Sequence, residues 1–119
     1  MGNLLIILGE TPFHSDKTEQ AFKIAETAVS LGHDLSFFLI MDGVYNLINS
    51  QNGEPFKVTP NSKRLKNLFE RGARIFCCRL HTMIRGITPS LIPEGIEISG
   101  TPELNGLITS ADAVLSFTR

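Results

Sequence analysis

Five short apolar runs alternate with helical patterns along this chain, and that alternation restricts its fold more than any other feature. The runs are residues 4–8, 35–40, 74–78, 96–98 and 113–117. A continuous apolar run is the mark of a strand buried on both faces, and such strands separated by helices build a parallel sheet covered by helices. The expected fold is α/β, with a five-stranded, mostly parallel sheet and helices on both faces in a flavodoxin-like three-layer sandwich. With 119 residues and 42% hydrophobic content, the chain can bury one core, so residues 1–119 are expected to form a single domain.

Between the runs, the helix signals are specific. Ser15 or Asp16 can cap a first helix whose Ala21, Phe22, Ile24, Ala25, Ala28 and Val29 recur at helical spacing, with Gly32 at the C-terminal cap. Val44, Tyr45, Leu47 and Ile48 suggest a short helix, and residues 50–60, with Gly53, Pro55 and Pro60, suggest a loop. Asn61 can cap a helix with Leu65, Leu68 and Phe69 on one face, closed by Gly72. A short helix is expected over 81–84, ended by Arg85-Gly86. Thr101-Pro102-Glu103 opens the last helix, with Thr101 as cap and Leu104, Leu107, Ile108 and Ala111 as its buried stripe.

Several function classes lose their warrant. Eleven Lys+Arg against twelve Asp+Glu give a formal net charge of -1, too balanced to supply a field for nucleic acid or an anionic membrane. The basic cluster Lys63, Arg64, Lys66, Arg71 and Arg74 reads as a solvated helix face. The first apolar run is too short for a signal peptide or a membrane span, and Ile6 stands where a myristoylation signal needs Ser or Thr, so a cytoplasmic location is expected. No Gly-x-Gly-x-x-Gly, Walker-type or Gly-x-Ser-x-Gly motif occurs. No cofactor is implied.

The residues with chemistry to offer converge on one rim. Loops after parallel strands gather beyond the strands' carboxyl ends. Those after the first four strands would bring together Glu10, Phe13 and His14, then Asp42 and Gly43, then the segment 78–81, then Gly100 and Thr101. Asp42-Gly43 reads as a turn, since the carboxylate has no visible partner. The segment Phe76-Cys77-Cys78-Arg79-Leu80-His81 holds both cysteines of the chain. Alternation along a strand sends one sulfur into packing and the other to a different face. An adjacent pair in a reducing compartment stays as free thiols. Cys77 is the expected packing residue. Cys78, last in the run and beside Arg79, is the reactive candidate, because a cationic neighbour or a helix N-terminus favours the thiolate. Arg79, His81 and His14 are its candidate helpers, with Cys77 as a secondary thiol. Cys78 and His81 have Cys-x-x-His spacing, but without further ligand pairs no metal site is assigned.

Taken in order, the segments Leu5-Ile6-Ile7-Leu8-Gly9-Glu10, Met41-Asp42-Gly43-Val44-Tyr45, residues 71–78 and Arg85-Gly86-Ile87 resemble the DsrE/DsrF-like (TusD-like) sulfur-relay family over essentially the whole chain. The resemblance implies a small α/β fold, assembly as a homo-trimer or hexamer, and a cysteine that accepts sulfur as a persulfide from a donor protein and passes it to an acceptor protein. Cys78, seven residues before Arg85-Gly86, matches that cysteine. Some members carry a second cysteine three positions on, where this chain has His81. A sulfur carrier is the leading expectation. A non-catalytic oligomeric subunit or small-ligand-binding protein with structural cysteines is the alternative, followed by a metal-binding module.

Overall fold

The computed structural model describes residues 2–13, 16–51 and 53–118. Its first strand, β1 (Asn3–Leu8), explains the whole arrangement, because Leu5, Ile6 and Leu8 are fully buried and need cover on both faces. Burying an aliphatic side chain of this size contributes roughly 1.5–3 kcal/mol. Over Ile6 and Leu8 the cover comes from α1 (Asp16–Ser30) and, beyond β2 (Asp34–Leu39), from α2 (Asn61–Glu70), and over Leu5 from the helix Thr101–Ser110. β3 (Arg74–Cys78), α3 (Arg79–Ile84), β4 (Glu97–Ser99), α4 (Thr101–Ser110) and β5 (Ala113–Phe117) complete the chain. All four strand pairings are parallel, in the order β4-β3-β2-β1-β5.

That order decides where the helices go. Crossovers between parallel strands are right-handed, so connections stepping the same way across the sheet share a face, and one stepping back lies on the other. From β1 to β4 the chain always steps the same way, and then α4 carries it back past β1 to β5. The larger core accordingly packs Ile6, Leu8, Phe37, Leu39, Ile75 and Cys77 against Phe22, Leu65 and Leu68, together with Leu91 and Ile92 from the α3–β4 connection. The smaller one packs Leu5, Ile7, Phe38 and Phe76 against Leu104, Leu107 and Ala111 of α4. Helices thus cover both faces, unequally.

Several local expectations are corrected. The chain enters α2 from Pro60, and Asn61 is already helical; its side chain is buried and donates to Asn46 Oδ1 at 2.8 Å, so it serves a tertiary contact and not a cap. Gly100, not Thr101, precedes α4, and the Glu103 carboxylate accepts from the Gly100 amide at 3.2 Å. The α4 stripe is only half-buried and Ile108 is exposed, because this helix alone covers its face. Phe69 and Ile24 are also exposed. Residues 44–47 belong to a 3-10 helix, Met41–Leu47, with Ile48 just beyond its end, and the 50–60 loop contains another, Glu54–Phe56. α3 begins at Arg79, two residues earlier than expected, and Ser15 lies outside the described residues.

The basic cluster is less solvated than its composition suggests. Arg64 is held between Glu19 at 2.8 Å and Glu26 at 2.9 Å, with its guanidinium 4.8 Å from the centre of the Phe22 ring, so it clamps α2 to α1. The hydrogen bond from Arg64 holds the Glu19 carboxyl below its usual range.

The closest backbone approach lies where the 3-10 segment after β2 crosses the end of β1. A Cβ on Gly43 would stand 2.1 Å from the Leu8 carbonyl oxygen, whereas one on Gly106 within α4 would meet open space. Gly43→Ala is expected to cost about 2–3 kcal/mol, since backbone must move. Gly106→Ala should stabilise by about 0.5–1 kcal/mol through helix propensity. Urea unfolding of the two variants checks the pair.

Candidate functional site

β3 separates the two cysteines by its pleat. Cys77 is 0% exposed, faces the α1/α2 core and sits in register between Leu39 of β2 and Ile98 of β4. Burial, reinforced by the neighbouring Cys78, pushes its thiol up to about 12. Cys78 points to the opposite face, is half-buried against the smaller core, and lies in register with Ser99, the last residue of β4. Both sulfurs are free thiols.

The topology gives that location a meaning. The connection leaving β3 packs with the α1/α2 core, while the one leaving β4 is α4 on the other face. In open α/β sheets ligands bind beyond the carboxyl ends of the strands. Cys78 and Ser99, the last residues of β3 and β4, stand at that end of the sheet, while the point where the strand order reverses lies between β1 and β5.

The backbone that carries Cys78 is tethered to the segment after β2. The Met41 amide donates to His81 Nδ1 at 2.8 Å, which leaves the proton of the neutral ring on Nε2. Arg85 binds Asp42 Oδ1 through both Nε and Nη2 at 3.1 Å, and its Nη1 donates to the His81 carbonyl at 3.3 Å. Thr82 is buried, and its hydroxyl lies 2.9 Å from the carbonyl oxygens of both Cys78 and Arg79. Met41 adopts φ 48, a left-handed conformation costly for a side chain with a Cβ, and the bond to His81 helps to hold it there. Asp42 is therefore not a lone carboxylate. Arg85, 43 residues away, is its partner.

A second set of bonds ties this rim to β1. The buried Asn46 carboxamide donates to the carbonyls of Glu10 at 3.0 Å and Gly43 at 2.8 Å, and accepts from Asn61. Glu10 is itself buried, with Lys17 Nζ 3.8 Å from its carboxylate. The first three loops are thus bonded to one another, through Asn46, Asn61 and Arg85, none of which the sequence placed in the site; among the described residues no such bond reaches Gly100 or Thr101. Arg79 is exposed beside Cys78. Phe13 lines a separate hollow of about 330 Å³ with Gln51, Phe56 and Val58. His14 lies outside the described residues. Among the described residues, no three His, Cys, Asp or Glu side chains gather as a metal site, and no helix is long and apolar enough to cross a membrane.

Comparison with known proteins agrees with this fold. The sequence model of the DsrE/DsrF-like family matches residues 2–117. The chain is 27% identical over 114 residues to an uncharacterized protein of Methanopyrus kandleri, covering 96% of this chain and 93% of the relative. It is 29% identical over 112 residues to an uncharacterized protein of Methanocaldococcus jannaschii, covering 94% and 96%. Among solved structures, the ychN protein from E. coli superimposes with a TM-score of 0.89 at 26% identity, over 98% of this chain and 100% of that one. A protein of unknown function from Methanobacterium thermoautotrophicum shares the fold, with a TM-score of 0.77 at 13% identity over 98% and 99% of the two chains.

The two thiols should respond differently to alkylation. In the folded protein at about pH 8, iodoacetamide is expected to modify Cys78 and spare Cys77, with Cys77 reacting only after unfolding; peptide mapping checks this. The Cys77 shift also has a sign. Its folded-state pKa of about 12 stands above the ordinary 9.0, so its contribution to stability is complete below pH 9 and is lost as pH rises toward 12.

Proposed function

The chain belongs to the DsrE/DsrF-like family, and from that premise we propose that it is a sulfur carrier, with Cys78 accepting sulfur as a persulfide and passing it to a partner protein. The observation that carries this is the division of labour between adjacent thiols. Cys77 is sealed in the core, while Cys78 is half-buried at the carboxyl end of β3. A carrier thiol has to be reachable by two partners and still be held in place, and Cys78 meets both conditions.

The chemistry is thiolate exchange. The Cys78 thiolate attacks the outer sulfur of a donor persulfide; a new S–S bond forms on Cys78, the donor's S–S bond breaks, and the donor leaves as a thiolate. No net oxidation takes place and no cofactor is needed. The reverse choice of partners delivers the outer sulfur to an acceptor thiolate. Arg79, exposed and next in sequence to Cys78, is the cation available to the thiolate and the persulfide anion. His81 acts first as a tether through Nδ1, with Nε2–H left as a donor. With a histidine three positions on, where some members carry a second cysteine, the sulfur leaves to another chain.

A second feature bears on assembly. Leu80, Met83 and Ile84 are 62, 70 and 66% exposed and fall on one face of α3 by their spacing. Three large apolar side chains on one short helix next to the carrier thiol suit burial against another copy, consistent with a homo-trimer or hexamer.

Two measurements test these statements. After incubation with a persulfide donor, intact-mass spectrometry should find an adduct of one sulfur, about 32 Da, that disappears in Cys78→Ser and persists in Cys77→Ala; an adduct confined to Cys77 sinks the assignment. Met83→Glu should lower the native mass measured by light scattering toward that of one chain, and an unchanged mass places the contact between copies elsewhere.

A further inference from the structure

Of the five basic residues between 63 and 74, three have partners. Arg64 is bound by Glu19 and Glu26, Arg71 Nη2 donates to Ser30 Oγ at 2.8 Å, and Arg74 lies 3.4 Å from Glu97. Lys63 and Lys66 have none among the described residues, and both border one cleft of about 570 Å³, between the first turn of α2 and the α3–β4 connection. The cleft shares no residue with the Cys78 rim.

Its inner wall contains a group that lacks a partner. Ser62 is only 4% exposed, lines the cleft, and its hydroxyl makes no hydrogen bond among the described residues. What little of Ser62 is exposed includes its hydroxyl, which therefore opens onto the cleft and is available to a ligand atom. Around it, the start of α2 is uncapped by any side chain. The Lys63 amide is used by the Pro60 carbonyl at 3.1 Å, and the Ser62 amide has no backbone acceptor among the described residues. The far wall is fixed in place by Asn49, whose amide donates to Leu91 O at 2.9 Å and whose side chain donates to Ser90 O at 3.2 Å. Ile92 and Pro93 make that wall partly apolar, and Glu94 stands on it too.

We propose that this cleft binds a small phosphomonoester, with the phosphate against the Ser62 hydroxyl and amide and the Lys63 and Lys66 ammonium groups, and the organic body along Ile92 and Pro93. One hydroxyl, one amide and two ammonium groups make a donor set for three oxygens and nearly two negative charges, more than a carboxylate can use. The attraction is local, because a net charge of -1 gives the chain no general affinity for anions. Glu94 on the same cleft limits the negative charge it tolerates and selects a monoester over a polyphosphate.

The test is a titration of the 15N-labelled full chain with phenyl phosphate, followed by amide shifts, with benzoate as the carboxylate control. Saturable shifts at Ser62 and Lys63 are expected, with benzoate binding at least about tenfold more weakly. Lys63→Ala combined with Lys66→Ala should weaken phenyl phosphate about tenfold or more, Ser62→Ala should weaken it, and Glu94→Gln should tighten it. Arg79→Ala should leave the affinity unchanged. Absent or non-saturating shifts, equal binding of benzoate, or an affinity indifferent to the double lysine variant whose spectrum is otherwise native would overturn the proposal.

Discussion

The rim of the sheet depends on how closely the segment after β2 approaches the end of β1. Gly43 lies against the Leu8 carbonyl with no room for a side chain, and this contact fixes the height at which the 3-10 segment crosses the rim. Once there, its backbone leaves carbonyls facing inward, and buried carbonyls need donors. Asn46 meets that need for Gly43 and Glu10, and Asn61 engages the remaining oxygen of the Asn46 amide. From the same segment Met41 and Asp42 reach α3 through His81 and Arg85. The position of Cys78 therefore rests on a chain of contacts that begins at a glycine with no chemistry of its own.

Strands were the most legible part of the sequence: burial on both faces writes β1 as an unbroken apolar run and β2 and β3 as nearly so, while the edge strands β4 and β5 are largely exposed and were found by their short apolar pattern. The bounds of β3 and β5 follow directly from the residues, and β2 and β4 are displaced by a single position. Helix ends were less legible, since Asn61 and Thr101 are good caps by type, yet Asn61 is taken by Asn46 and the Gly100 amide by Glu103. The half-buried stripe of α4 misled for a related reason: spacing reveals which side of a helix is apolar but not how much partner surface awaits it.

In the candidate site, the separation of Cys77 from Cys78 was legible from alternation alone. The tethers were not. The Asp42–Arg85 pair spans 43 residues and the Met41–His81 bond spans 40, and nothing local in either segment announces the other. In hindsight both motifs of the family resemblance, the one at Met41-Asp42-Gly43 and the one at Arg85-Gly86, are the two halves of one contact. His81 also changes character: a side chain expected to assist chemistry has one ring nitrogen already committed to the backbone.

Placing two cysteines side by side on β3 makes the chemistry of the chain depend on strand register. Side chains alternate with a period of two, so a slip of one position would send the Cys78 sulfur into the core and turn the Cys77 sulfur toward α4. The pair thus reports on its own folding. A correctly paired sheet presents one thiol of defined position, and a misregistered one presents the wrong sulfur with Phe76 and Ile75 exchanged as well, at a cost set by the packing of Leu39, Phe38 and the rest of the core. Access to the thiol is in this way conditional on the integrity of the sheet.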